Sequence, residues 1–352
     1  MTWGGCRDAA SDSATNARCG TGTTFGSGNF PAGSIDFPQG IAITPDGETL
    51  YIADQTEGLI QAQLNTITGV PTPTACFATT GGHASGCTAM ASGIPLAGVG
   101  IDIASNSRDV YLSSVSPGGI THFQRTGGST TAFSSCVHAD SATATCLTAG
   151  PSPVFLNPGA IGVSGDNVFT HGGNFGTPNG TIGKFLRDAD GSLDFTSCAT
   201  TVAGASPCTS LPTGTLSSTL GRVPISPDGS FLYTSQRTAA PSALMRLTSD
   251  LAFGGCIGLG LAVCSAPPLT AAFAEPIGFS AFSPDGKNIY QPAIDQINVY
   301  ALEGTAQSPP PAQNPPASPA TPRATKPRIR SIRRVRKGRH RGKYQVKIRV
   351  AQ

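Results

Sequence analysis

The sequence predicts an all-β fold, a β-propeller of about five four-stranded blades. Three observations predict it. A short segment containing a Pro-Asp-Gly-like turn and a following aromatic recurs at spacings of 60, 58, 64 and 57 residues. One pair of cysteines falls in each period. The composition is poor in charge (12%) and rich in Gly (44) and Pro (29), which disfavours coiled coils and long amphipathic helices and favours many short strands joined by turns.

The repeat is clearest at Ile41-Ala-Ile-Thr-Pro-Asp-Gly47 with Leu50-Tyr51-Ile52. It returns at Val223-Pro-Ile-Ser-Pro-Asp-Gly229 with Leu232-Tyr233, and at Phe282-Ser-Pro-Asp-Gly286 with Ile289-Tyr290. Weaker copies stand at Ile101–Asn106 with Val110-Tyr111, and at Ile161–Asp166 with Val168-Phe169. In each, alternating apolar residues mark a half-buried first strand. Pro-Asp-Gly then supplies a tight turn, because Pro presets φ and Gly accepts the positive φ that other residues avoid. The aromatic lies on the second strand. A third strand reads from Gly119–Arg125 and Thr181–Arg187, and Asp188–Ser192 is a hairpin turn into the fourth, Leu193–Cys198. Four antiparallel strands repeated radially make a propeller, which hides most sheet edges.

An aromatic stands three residues before the first cysteine of most units, at Phe133, Phe195, Phe253 and also Trp3. Met1–Cys6 therefore reads as a fourth strand, whose first three strands are supplied by residues 278–304. The expected blades are 278–304 plus 1–39, 40–99, 100–159, 160–221 and 222–277, a five-blade ring within residues 1–304. The alternative is an array with further blades upstream.

The ten cysteines form five local pairs: Cys6/Cys19, Cys76/Cys87, Cys136/Cys146, Cys198/Cys208 and Cys256/Cys264. An even count placed once per repeat reads as a disulfide framework. Separations of 8 to 13, with no adjacent His or second Cys, do not match zinc ligation, so no metal is expected. Disulfides imply an extracellular or cell-wall-associated protein. No signal peptide precedes Trp3, so one is expected upstream of this frame. No apolar run approaches the roughly 18 residues of a spanning helix.

Beyond Leu302 the pattern stops. Residues 305–327 hold eight prolines, the composition of a semi-rigid spacer. Of the 23 Lys and Arg, 13 lie in Arg323–Gln352, which contains no acid, leaving 10 basic against 20 acidic groups in the remainder. The net +3 thus joins an acidic body to a strongly basic tail. In residues 328–352, Tyr344, Val346, Ile348 and Val350 alternate with polar residues, as in the second strand of a hairpin turning near Lys337–Gly342. Two readings stand: the opening of a second β domain, or a polyanion anchor. In the second, Arg333, Arg334, Arg336, Lys337, Arg339 and Arg341 meet an anionic cell-wall polymer or acidic glycan. Nucleic acid is disfavoured, since Tyr344 is the tail's only aromatic and no recognised nucleic-acid fold is evident.

The Ser-Pro-Asp-Gly-x-x-Ile-Tyr pattern, clearest at Ser283–Tyr290 and Ser226–Tyr233, resembles the YVTN/lactonase-like β-propeller superfamily. The cysteine pair per blade and Arg187-Asp-x-x-Gly-x-Leu193 are similar to secreted actinobacterial members. The resemblance covers about residues 1–304 and implies the blade architecture. Some relatives of this fold hydrolyse sugar lactones, but no catalytic motif carries over residue by residue. No nucleophile elbow or phosphate-binding Gly loop appears, and none of the five histidines lies in a metal-spaced cluster. Asp188–Asp194 has a calcium-loop flavour but lacks the later Glu and sits at a hairpin. No cofactor is expected.

A small-molecule site, if present, lies where loops before first strands and after second strands converge on the channel mouth. There Asp54, Ser114, His171, Gln236 and Arg237 follow the aligned aromatics, and Asp102 and Arg222 replace small or apolar residues of other first strands. The plain reading is solvated loop residues and a channel-lining ion pair. The sharp one is lactone hydrolysis with His171 as base and Arg237 or Arg222 at the oxyanion. The function expected is a binding scaffold for a protein, glycan or small molecule, with a lactonase-like hydrolase as the alternative.

Overall fold

The computed structural model describes residues 35, 37–79, 87–127, 131–138, 146–148, 157–173, 179–216, 221–235, 243–258, 260–266, 280–283, 285–293, 296–302, 332–334 and 344–346. Every regular element among them is a strand. The chain divides into two units, Met1–Thr305 and Ala306–Gln352. Cys6, Cys19, Gln236, Arg237, Arg336, Lys337, Arg339 and Arg341 lie outside the described residues.

The first unit is a five-blade propeller. Its first sheet comprises β1 (Pro38–Ile43), β2 (Thr49–Asp54), β3 (Gly58–Leu64), β4 (Pro71–Thr79) and β5 (Thr88–Met90), in that spatial order. The second comprises β6 (Gly98–Ile103), β7 (Asp109–Val115), β8 (Gly118–Arg125), β9 (Thr131–His138) and β10 (Leu147–Thr148). The third holds β11 (Pro158–Ser164), β12 (Asn167–Gly173), β13 (Gly180–Arg187), β14 (Leu193–Thr200) and β15 (Thr209–Ser210), with β16 (Gly221–Arg222) added at its inner edge. The fourth and fifth are β17 (Phe231–Ser235), β18 (Ala243–Thr248), β19 (Phe253–Gly258), and β20 (Ala281–Phe282), β21 (Asn288–Ala293), β22 (Gln296–Ala301). In the second unit, β23 (Ile332–Arg334) pairs antiparallel with β24 (Tyr344–Val346).

The Ser/Thr-Pro-Asp-Gly turns form as their sequence dictates. Gly47, Gly229 and Gly286 take φ of 74°, 71° and 69°. The preceding hydroxyl is donor and acceptor at once. Ser283 Oγ donates to Asp285 Oδ1 at 2.6 Å and accepts from Asn288 N at 2.9 Å. Ser226 repeats this with Asp228 and Phe231 N. These bonds hold the turn carboxylates below the usual carboxylate range.

Among the described residues, each first cysteine lies in a fourth strand, and each second one opens a short parallel strand or bridge beside it. The bonded pairs among the described residues are Cys76–Cys87, Cys136–Cys146, Cys198–Cys208 and Cys256–Cys264, with Cα atoms 4.6–4.7 Å apart. In all four, the residue after the first cysteine pairs with the residue after the second: Phe77 with Thr88, Val137 with Leu147, Ala199 with Thr209, Ile257 with Ser265. The covalent staple and its parallel rung thus fix the long connection to the next blade.

The core lies between blades. Tyr51, Tyr111, Phe169 and Tyr233 are buried, each facing the next sheet. Phe123 meets Phe77 of the previous blade at 5.0 Å between ring centroids and the edge of Phe133 in its own blade at 6.4 Å. Tyr51 and Tyr111 also carry polar latches, each to a residue 80 positions on. Tyr51 Oη bonds Thr131 Oγ1 at 2.6 Å, and Tyr111 Oη donates to the Gly191 carbonyl at 2.8 Å. In the reverse direction Arg125 reaches Asp46 and Glu48, and Arg187 reaches Asp109 at 2.8 Å. A buried aromatic with its hydroxyl satisfied contributes apolar area and register together.

Candidate functional site

At the propeller axis the first strands approach so closely that glycine is required at position 162 and a side chain at position 40 would be crowded. A Cβ on Gly162 would collide with the Val223 carbonyl, and one on Gly40 would lie 3.2 Å from the Val99 carbonyl. The approach is sealed by backbone bonds between neighbouring blades. Ala160 and Ile161 pair in parallel with Gly221 and Arg222, and Val223 N donates to the Ile161 carbonyl at 2.9 Å. The strand β6 packs against β1, β11 and β16.

Asp102 and Arg222 meet there from blades that are not sequence neighbours. Arg222 Nη2 lies 3.0 Å from Asp102 Oδ1, and Val163 N donates to Asp102 Oδ2 at 2.8 Å. Asp102 is buried whereas the Arg222 side chain is 60% exposed. Burial pushes the Asp102 carboxyl up, and Arg222 and the amides of Val163 and Ile103 offset this only in part. For an acid so shifted, ionisation lowers stability as pH rises through the unfolded value. Asp102 and Arg222 thus form an ion pair between the second and fourth blades.

The other expected mouth residues separate. Asp54 ends β2, and its carboxylate accepts from Phe37 N, Thr56 N and Glu57 N, each at 2.9 Å. It ties the chain entering β1 to the turn leaving β2. His171 is buried on β12, opposite Ala160 and Ile182. Ser114 is buried opposite Gly98 and Gly119. The Asp188–Ser192 segment forms the β13–β14 hairpin, with Gly191 N bonded to the Asp188 carbonyl at 2.9 Å.

A denser polar cluster, missed in the sequence, lies between the second and third blades. His122 Nε2 is 3.1 Å from Asp109 Oδ1, and His122 Nδ1 is 3.3 Å from Ser135 Oγ. Asp109 Oδ2 accepts from Arg187 Nη1 and Asn106 Nδ2, both at 2.8 Å. The His122 ring stacks on Tyr111 with centroids 4.9 Å apart. A Cβ on Gly191 would collide with the ring, so the third blade's hairpin clamps it in place. The available signal was divergence: the position opposite the aligned aromatic holds Gln61, Lys184 and Arg246 in three blades and His122 in the second.

Burial raises the Asp109 carboxyl, but hydrogen bonds from His122 and Asn106, the charge of His122 and the bond from Arg187 outweigh it and lower the pKa to about 2. The folded value is below the unfolded 3.8, so Asp109 contributes stability above that value and loses it as pH falls through about 2. Asp109→Asn is therefore expected to be less stable at neutral pH, with the deficit shrinking between about pH 4 and pH 2. Chemical denaturation across that range checks this, and a deficit independent of pH contradicts it.

No protein-family model and no curated protein matches the chain. Among solved structures, it is similar to a protein from Lactobacillus plantarum at 14% identity and TM-score 0.48, over 76% of this chain and 67% of that one. It is similar to a putative 6-phosphogluconolactonase from Bacteroides uniformis at 15% identity and TM-score 0.42, over 79% and 83%. It is also similar to the periplasmic gluconolactonase PpgL of Pseudomonas aeruginosa at 13% identity and TM-score 0.41, over 82% and 86%. No residue role is carried over from them.

Proposed function

We propose that this protein is an extracellular or wall-associated propeller that acts as a rigid binding scaffold. The observation that carries this reading is the commitment of two expected site carboxylates to the fold: Asp54 caps three amides, and Asp102 is held by Arg222 and Val163 N. Groups so engaged position backbone and leave little freedom for proton transfer to a ligand. Four disulfides, one in each of four blades, support an oxidising compartment. The outer rim offers surface for recognition, including a groove of about 600 Å³ lined by Glu48, Gln63, Asn65, Thr66, Ile67 and Thr74.

A panel of sugar lactones tests the reading, with no turnover expected. Turnover lost in His171→Ala would replace the scaffold with a hydrolase. The basic tail is proposed to hold the scaffold on anionic polymers, with Arg333 and Arg334 on β23. Retention on heparin resin at moderate salt, abolished by deleting 323–352, is the expected result. Equal retention of the deleted form would reject the anchor.

A further inference from the structure

We propose that Ser135 is an activated nucleophile, with His122 as its base and Asp109 as the residue that positions the base. The three form a continuous relay, Ser135 Oγ to His122 Nδ1 at 3.3 Å and His122 Nε2 to Asp109 Oδ1 at 3.1 Å. The proton positions follow from the partners. Asp109 also takes hydrogen bonds from Arg187 and Asn106, so it is the acceptor towards His122 and Nε2 carries the hydrogen. In the neutral ring Nδ1 is then a lone pair, and the Ser135 hydroxyl donates to it. Nucleophile, base and orienting carboxylate in this order are the arrangement by which a serine is activated.

The surroundings fix the base. Tyr111 stacks on the imidazole, Gly191 closes against its edge, and Asp109 is pinned by donors from two blades. His122 and Asp109 are buried, whereas Ser135 is half-buried on the fourth strand β9. The register shifts between His122 and Phe123, so Ser135 faces His122 while Phe133 faces Phe123. Such bulges re-aim a side chain.

The substrate class is an activated acyl or phosphonyl donor. In the step, Ser135 Oγ bonds to the carbonyl carbon or phosphorus, and the bond to the leaving group breaks. The hydroxyl proton passes to His122 Nδ1 and from there to the leaving group. Stoichiometric covalent attachment suffices, which keeps this separable from the lactone test: one equivalent of label is incorporated without turnover.

The fold contains its own control. Ser197 occupies the same register position in the third blade, equally half-buried, but faces Lys184. The experiment is incubation of the intact, oxidised chain with a fluorophosphonate and with p-nitrophenyl acetate, followed by peptide mapping by mass spectrometry. Ser135 is expected to label at least about 100-fold faster than Ser197, as a positioned base provides. Label is lost in Ser135→Ala, and His122→Gln reduces the rate to that of Ser197. Labelling of neither serine, or of both at equal rates, overturns the proposal without any variant. Unchanged labelling in folded His122→Gln overturns it as well.

Discussion

Reduction of the disulfides is expected to unfold the propeller under conditions where the oxidised protein is folded. The four described bridges close loops with sequence separations of 11, 10, 10 and 8. Chain entropy assigns loops of this length about 2.5 kcal/mol each. The bridges lie in four different sheets and share no partners, so their contributions should nearly add, to roughly 10 kcal/mol. A single domain has about 5–15 kcal/mol in total. Each bridge also sits beside a parallel rung, such as Ala199 with Thr209, that loses its register when the loop opens. Guanidinium unfolding by circular dichroism, with and without reductant, checks this. The double variant Cys198→Ser, Cys208→Ser should cost about 2–3 kcal/mol alone. An unchanged midpoint after complete reduction, verified by thiol titration, would show that packing suffices.

Those bridges were legible because a cysteine pair recurs with the repeat, and so was the blade. Pro-Asp-Gly and the aromatic that follows are local signals, since a turn needs a positive φ and the next strand needs a residue for the inter-blade core. What stayed hidden depends on the approach of distant segments. The direct pairing of β16 with β11 requires Gly162 to meet Val223, and nothing near Gly162 announces that distance. The mouth residues were found by divergence among repeats, which detects Asp102 and Arg222 and suggests an ion pair but does not offer the Val163 amide that also holds Asp102. His122 diverges equally, yet its meaning comes from Asp109 diagonally across one strand pair and Ser135 directly across another. Diagonal neighbours are a property of register, which the repeat alone leaves open.

The second large effect concerns Trp3, the only tryptophan in the chain. Replacing it with alanine is expected to cost about 3–5 kcal/mol, the range for removing a large buried aromatic. Trp3 itself lies outside the described residues, and the expectation rests on its counterparts. Phe133 meets Phe123 edge-on, Phe195 meets Phe185 likewise at 5.7 Å, and Phe253 is paired with Leu247. The fifth blade's equivalent of Phe123, Phe185 and Leu247 is Tyr300, opposite Ile289 on β21. Among the described residues β22 has no fourth strand beside it, and an unpaired edge invites one. Trp3-Gly-Gly-Cys6 repeats Phe253-Gly-Gly-Cys256 apart from the aromatic itself. Placed beside β22, Trp3 would cap the cluster of Tyr233, Leu244 and Ile289. Two apolar faces stand exposed at the ends of the array. Tyr290 is 40% exposed where its four counterparts are buried, and Ile41 and Ile43 are 68% and 54% exposed on the first blade. The expected fluorescence is blue-shifted, protected from acrylamide, and shifted to the red in Tyr300→Ala. Solvent-like emission from the folded, oxidised chain would mean that Met1–Cys6 does not complete the fifth blade.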